Sequence, residues 1–173
     1  EKGLDALENV AELDENSSLE EINAKKDELL DLLAKAVKQS KLATDEQKTS
    51  TNAVIEELEQ LLENEFLAPS VKPSKDTINE WKEQLKKEEL LLADYEKVVN
   101  EVEQAKNEVT DNIATNEENH NEAKTAVDGA KELANSLQDE TNDERIKSLF
   151  VGLLEEIGIA KSAIDRMTDE LSH

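Results

Sequence analysis

From Ile78 to Leu137 apolar residues return at seven-residue intervals, and few folds accommodate such a run. One register reads Ile78, Leu85, Leu92, Val99, Lys106, Ile113, His120, Val127, Ala134. Its partner reads Trp81, Glu88, Tyr95, Val102, Val109, Asn116, Ala123, Ala130, Leu137. A period of seven lays a single stripe along an α-helix and contradicts the two-residue alternation of a strand. The stripe is strong at its start and thin and Ala-rich at its end. Between them Asn112, Asn116, Asn119 and Asn121 gather around His120. Asn favours turns and caps over helix interiors. The helix therefore either runs unbroken from 75 to 138 or turns back near 116–121, and the Asn cluster favours the turn.

The rest of the chain is also helical in pattern. Leu4, Leu7, Val10 and Ala11 mark a short amphipathic helix over 2–14. Ser18-Leu19-Glu20-Glu21 reads as a capping box, in which a hydroxyl and a carboxylate satisfy unpaired amides at a helix start. Ile22, Leu29, Leu33, Ala36 and Leu42 follow it at helical spacing. A second box, Thr44-Asp45-Glu46-Gln47, precedes a polar patch and a shift of register, which implies a kink, break or stutter near 43–52. Pro69 and Pro73 make 67–74 a loop, with Ser74 placed to cap the next helix. Residues 139–144 interrupt the pattern again and end in a third box, Thr141 to Glu144. The last helix carries Ile146, Phe150, Leu153, Ile157, Ala160, Ile164, Met167 and Leu171 as one seam.

With a turn near 118, three arms of comparable length result, over 19–66, 75–116 and 121–172. The expected fold is all-α: an elongated antiparallel bundle of three long helices with a short N-terminal helix. The chain reads as one elongated helical module over 1–173, or as a partial helical unit over 1–66 followed by a three-helix repeat over 75–172. Leu, Ile, Val and Phe make up about a quarter of the 173 residues, enough to fold. Aromatics are only 2%, which suits a narrow seam more than a thick core.

The charge excludes several partners. With 43 acidic against 20 basic residues the formal net charge is −23, and no basic stripe exists to neutralise phosphates, so nucleic acid is excluded as a partner. An anionic membrane surface would repel the chain, and no apolar run approaches a span, so no membrane insertion is expected. There are no cysteines and hence neither disulfides nor thiolate metal sites. Two Glu-x-x-His pairs, Glu117 with His120 and Glu170 with His173, have a spacing that carboxylate-bridged metal bundles use. Neither has an apolar shell, and both read as surface histidines. Asp139-x-Thr141-x-Asp143 fails as a calcium loop because Glu144 stands where glycine must turn the chain and Phe150 replaces the bidentate carboxylate. No nucleophile has an arranged base. The expectation is a protein that is not an enzyme and holds no cofactor.

Trp81 lies one turn into a helix, on the seam face. The stretch Asp76-Thr-Ile-Asn-Glu-Trp-Lys-Glu-Gln-Leu resembles the first helix of a spectrin-type repeat, with residues 75–172 close to the length of one repeat. The resemblance implies a three-helix core anchored by that Trp, in a structural or scaffolding rod of a larger, cytoskeletal or nuclear-envelope-linking protein. Glu1 in place of Met fits a piece of a longer chain. On this reading the protein is cytoplasmic and serves as a spacer and protein-binding surface. The alternative is an extracellular, ligand-binding helical module of a bacterial surface protein, which a Cys-free, Lys-rich acidic chain also fits.

A candidate interaction surface lies on the last helix, where Leu149, Val151, Leu154 and Ile159 add apolar area around the seam. Val151 and Ile159 are either covered by the helix over 2–14 or exposed for self-association or a partner helix.

Overall fold

The computed structural model describes residues 18–172. They form five α-helices: α1 Leu19–Ser40, α2 Asp45–Leu61, α3 Lys75–Leu85, α4 Leu92–Gln138 and α5 Asp143–Leu171. A single 3₁₀ turn, Pro69–Val71, lies between α2 and α3, and the only β feature among the described residues is an isolated bridge between Leu42 and Leu91. The all-α expectation holds. The helix expected over 2–14 lies outside the described residues.

Two helix starts follow their local codes. At α1 the Glu21 amide donates to Ser18 Oγ and the Ser18 amide to Glu21 Oε2, both at 3.2 Å. At α2 the Gln47 amide donates to Thr44 Oγ1 at 3.1 Å, and Gln47 Oε1 accepts from the Thr44 amide at 2.9 Å. Each cap is worth about 1 kcal/mol. Ser74 caps α3 through the Thr77 amide at 3.1 Å. The third box is a correction. Asn142, not Thr141, caps α5, accepting from the Arg145 amide at 3.1 Å.

The arms are also corrected. α4 is unbroken through 116–121, so no turn forms there, and the interruption falls instead at 86–91. The first helix implied by the spectrin-type resemblance therefore stops after 11 residues, at Leu85, with Trp81 buried in it. The first arm, 19–66, is divided as well, at 41–44, at the near edge of the break expected over 43–52.

The chain forms two compact units. One holds the described residues 18–52 and 80–100, and the other residues 53–79 and 101–172. In the first unit the two linkers pair. The Ala43 amide donates to the Leu90 carbonyl at 2.8 Å, and the Leu92 amide to the Lys41 carbonyl at 2.7 Å. Lys48, only 8% exposed, donates its ammonium to the carbonyls of Lys87 and Glu88, at 2.6 and 3.3 Å. It thereby caps the C-terminal side of α3 with a cation, where the helix dipole favours one. Trp81, Leu85, Leu90 and Val98 form this unit's core. α1 contributes no buried residue to it.

In the second unit α4 and α5 run antiparallel. Arg166 donates to Asn119 at 3.2 Å and to Glu122 at 2.7 Å, while the Cβ position of Gly152 lies 3.4 Å from Leu133. Ile55, Leu58, Val102 and Val109 are fully buried where the second half of α2 lies along α4.

Candidate interaction surface

Asn residues that sequence spacing assigns to a turn act instead as tertiary clamps. Asn112 Oδ1 accepts from the Ala68 amide at 2.9 Å and from Asn116 Nδ2 at 3.2 Å. Asn116, fully buried, also donates to the Phe66 carbonyl at 2.6 Å. The two side chains hold the loop after α2 against α4, satisfying backbone groups that helix α2 no longer pairs. His120, one turn on, is exposed, with its ring centroid 5.0 Å from that of Phe66. Glu117 is exposed as well, Glu170 accepts from Asn112 at 3.5 Å, and His173 lies outside the described residues. Among the described residues no group of three or more His, Cys, Asp or Glu could hold a metal ion.

Beyond this clamp the seam opens. Ala123, Ala126, Ala160 and Ala163 are buried between α4 and α5, but Phe150, Ile157 and Ile164 are 54%, 48% and 43% exposed. The continuous seam expected along the last helix is thus only partly closed. At 100° per residue, Ala160, Ala163 and Gly152 face α4, while Phe150, Leu154, Ile157 and Ile164 sit on an adjoining arc. Alanines bring the two helices close and cover little of the larger side chains next to them.

The result is an open groove of about 640 Å³. Val127, Ala130 and Ala134 of α4 and Leu153, Ile157, Ala160 and Ile164 of α5 form its apolar surface, and Lys131, Lys161 and Asp165 its charged rim. None of the four residues singled out from sequence lines it. Leu154, 55% exposed, shares the arc of Phe150 and Ile157; Leu149 is half-buried. Val151 and Ile159, 54% and 43% exposed, occupy other faces of α5. The groove residues were hidden in sequence because Ile157, Ala160 and Ile164 fit a closed seam. The thinning of α4 to Val127, Ala130 and Ala134 opposite them was the available signal.

No helix among the described residues is long and apolar enough to cross a membrane. Comparison with known proteins finds no family model, characterised relative or solved structure that matches this chain.

Proposed function

We propose that this chain is a non-catalytic scaffolding segment of a larger protein, a helical spacer that also binds a protein partner through the α4–α5 groove. The groove is the observation that carries the reading. Its occupant is an amphipathic helix with carboxylates beside its apolar stripe. Ala130 and Ala134 let a helix backbone approach closely, and the exposed Ile157 and Ile164 supply apolar area. The rim, two lysines against one aspartate, is locally basic on a chain of net charge −23. Such a rim selects an acidic helix and sets its orientation. A cytoskeletal setting rests on the sequence resemblance around Trp81 alone, in a helix that ends at Leu85.

A photo-crosslinking residue at Ala134 tests this in cells expressing the parent protein. A single polypeptide adduct is expected, lost when Ile157→Lys is added and unaffected by Glu118→Lys, which lies outside the groove. No adduct, or one indifferent to Ile157→Lys, would overturn the groove as the binding site.

A further inference from the structure

A second uncovered apolar face among the described residues lies on α1, in the first unit. Ile22, Leu29, Leu30, Leu33 and Val37 are 44%, 46%, 54%, 58% and 45% exposed. On a helical wheel they fall within an arc of about 100°, the width of a stripe that packs against a neighbouring helix. The same helix contributes no buried residue to the fold. Leaving five large aliphatic side chains in water on one helix is costly, and proteins keep such patches for association.

We infer that α1 pairs antiparallel with α1 of a second copy of this chain. A two-fold interface must be complementary to itself, each contact occurring twice with its members exchanged. A two-fold axis between Leu29 and Leu30 satisfies this. It sets Ile22 against Val37 and Leu29 against Leu30, each twice, so four of the five apolar residues meet apolar partners. The same axis puts Lys26 beside Leu33, where the aliphatic stem covers the leucine while the ammonium stays in water.

Charge selects both the partner and the direction. Two chains of net charge −23 repel in most orientations. Residues 18–41 escape that repulsion, with five carboxylates balanced by five lysines. The charge is unevenly spread within that stretch. Up to Leu29 there are four carboxylates (Glu20, Glu21, Asp27, Glu28) against two lysines; from Leu30 there are three lysines (Lys35, Lys38, Lys41) against one carboxylate. A parallel pair places like halves together. An antiparallel pair places each acidic half beside a basic one and opposes the helix dipoles as well. A free acidic helix of another protein would meet this balance only at one end.

The full chain, cysteine-free by nature, gives a direct test. Light scattering across the micromolar range is expected to show twice the monomer mass. Leu29→Lys combined with Leu33→Lys should return it to monomer with unchanged far-UV circular dichroism, since neither side chain is buried in the fold. Orientation is read from disulfides. Leu29→Cys should cross-link to itself under oxidation, and Leu19→Cys should not. Leu19→Cys mixed with Ser40→Cys should give the heterodimer, because a disulfide requires Cα atoms within about 7 Å. A monomer at every concentration, a dimer that survives the double lysine variant, or self-linking by Leu19→Cys would each overturn the proposal. The groove plays no part in any of these outcomes.

Discussion

Helix α4 is one continuous element, yet its two ends within the second unit are built differently. Over 102–116 its inward residues Val102, Val109, Ile113 and Asn116 are all buried, closed over by α2 and the loop that follows it. Over 123–134 only Ala123 and Ala126 reach that state, and beside the buried Ala160 and Ala163 of α5 the larger Ile157 and Ile164 stay half in water. The helical code is the same in both stretches. What differs is whether large side chains on one helix meet enough surface on the next. A closed stretch stabilises the fold, and an open one is available for binding.

The largest effects should separate these stretches. Leu58, with no exposed surface, closes the lower stretch. Leu58→Ala should destabilise by about 2–5 kcal/mol, the range for a cavity in a packed core. Ile157→Ala, at a side chain 48% exposed, should lose less than about 1 kcal/mol in the same denaturant titration. Equal losses would mean that the groove is closed in solution.

Next in size is the clamp that divides the two stretches. Asn112→Ala removes the acceptor for the Ala68 amide and for Asn116 Nδ2. Leaving a buried amide unpaired costs about 1–3 kcal/mol. Hydrogen exchange at the Ala68 amide should accelerate while amides in 123–138 keep their rates. Acceleration along the whole of α4 would show that the clamp supports both halves.

The clamp also marks where sequence reading stops. Caps at Ser18, Thr44 and Ser74 and the loop at 67–74 were legible, because each depends on residues within a few positions of one another. The Asn cluster was misread because Asn112 and Asn116 serve partners more than forty positions away, at Ala68 and Phe66. The break at 86–91 was invisible for a similar reason. Lys86-Lys87-Glu88-Glu89 are good helix formers with no Gly or Pro among them. Their helix ends because Lys48 takes the carbonyls of Lys87 and Glu88, Leu90 is buried, and the Leu90 carbonyl pairs with Ala43. Tertiary contacts override propensity there. The candidate surface was legible only in its location on the last helix, since exposure depends on how much surface α4 presents opposite.

The two glycines of α5 sharpen the comparison on a smaller scale. A Cβ at Gly158 would meet nothing within 4 Å, whereas one at Gly152 would touch Leu133 at 3.4 Å. Gly158→Ala should therefore stabilise by about 0.5–1 kcal/mol, the propensity difference for an exposed helix site. Gly152→Ala should gain at least as much, because its added methyl also makes ordinary van der Waals contact with Leu133 of α4. Thermal melts of the two variants check the order, and a destabilised Gly158→Ala would place a neighbour over that face in solution.

The smallest effect belongs to the turn that joins α4 to α5. Glu140 Oε1 accepts from the amides of Asn142 and Thr141 at 3.0 and 3.1 Å, and its other oxygen meets Arg145 Nε at 2.9 Å. The Asn142 amide, then that of Thr141 and the Arg145 guanidinium, hold the Glu140 carboxyl below its usual range, against the opposing effect of desolvation. A carboxylate whose folded pKa is depressed adds stability that is complete above the unfolded value, about 4.3. That contribution is lost as pH falls through the lower, folded value. Glu140→Gln keeps an acceptor oxygen for the two amides and removes only the charge. The melting temperature of the wild type should exceed that of the variant by a small margin at neutral pH, and the margin should close below the usual glutamate range. A margin that is constant with pH would mean that the amides recognise the oxygen and not its charge. The turn would then be held as the Asn clamp is, by neutral hydrogen bonds at both ends of the hairpin.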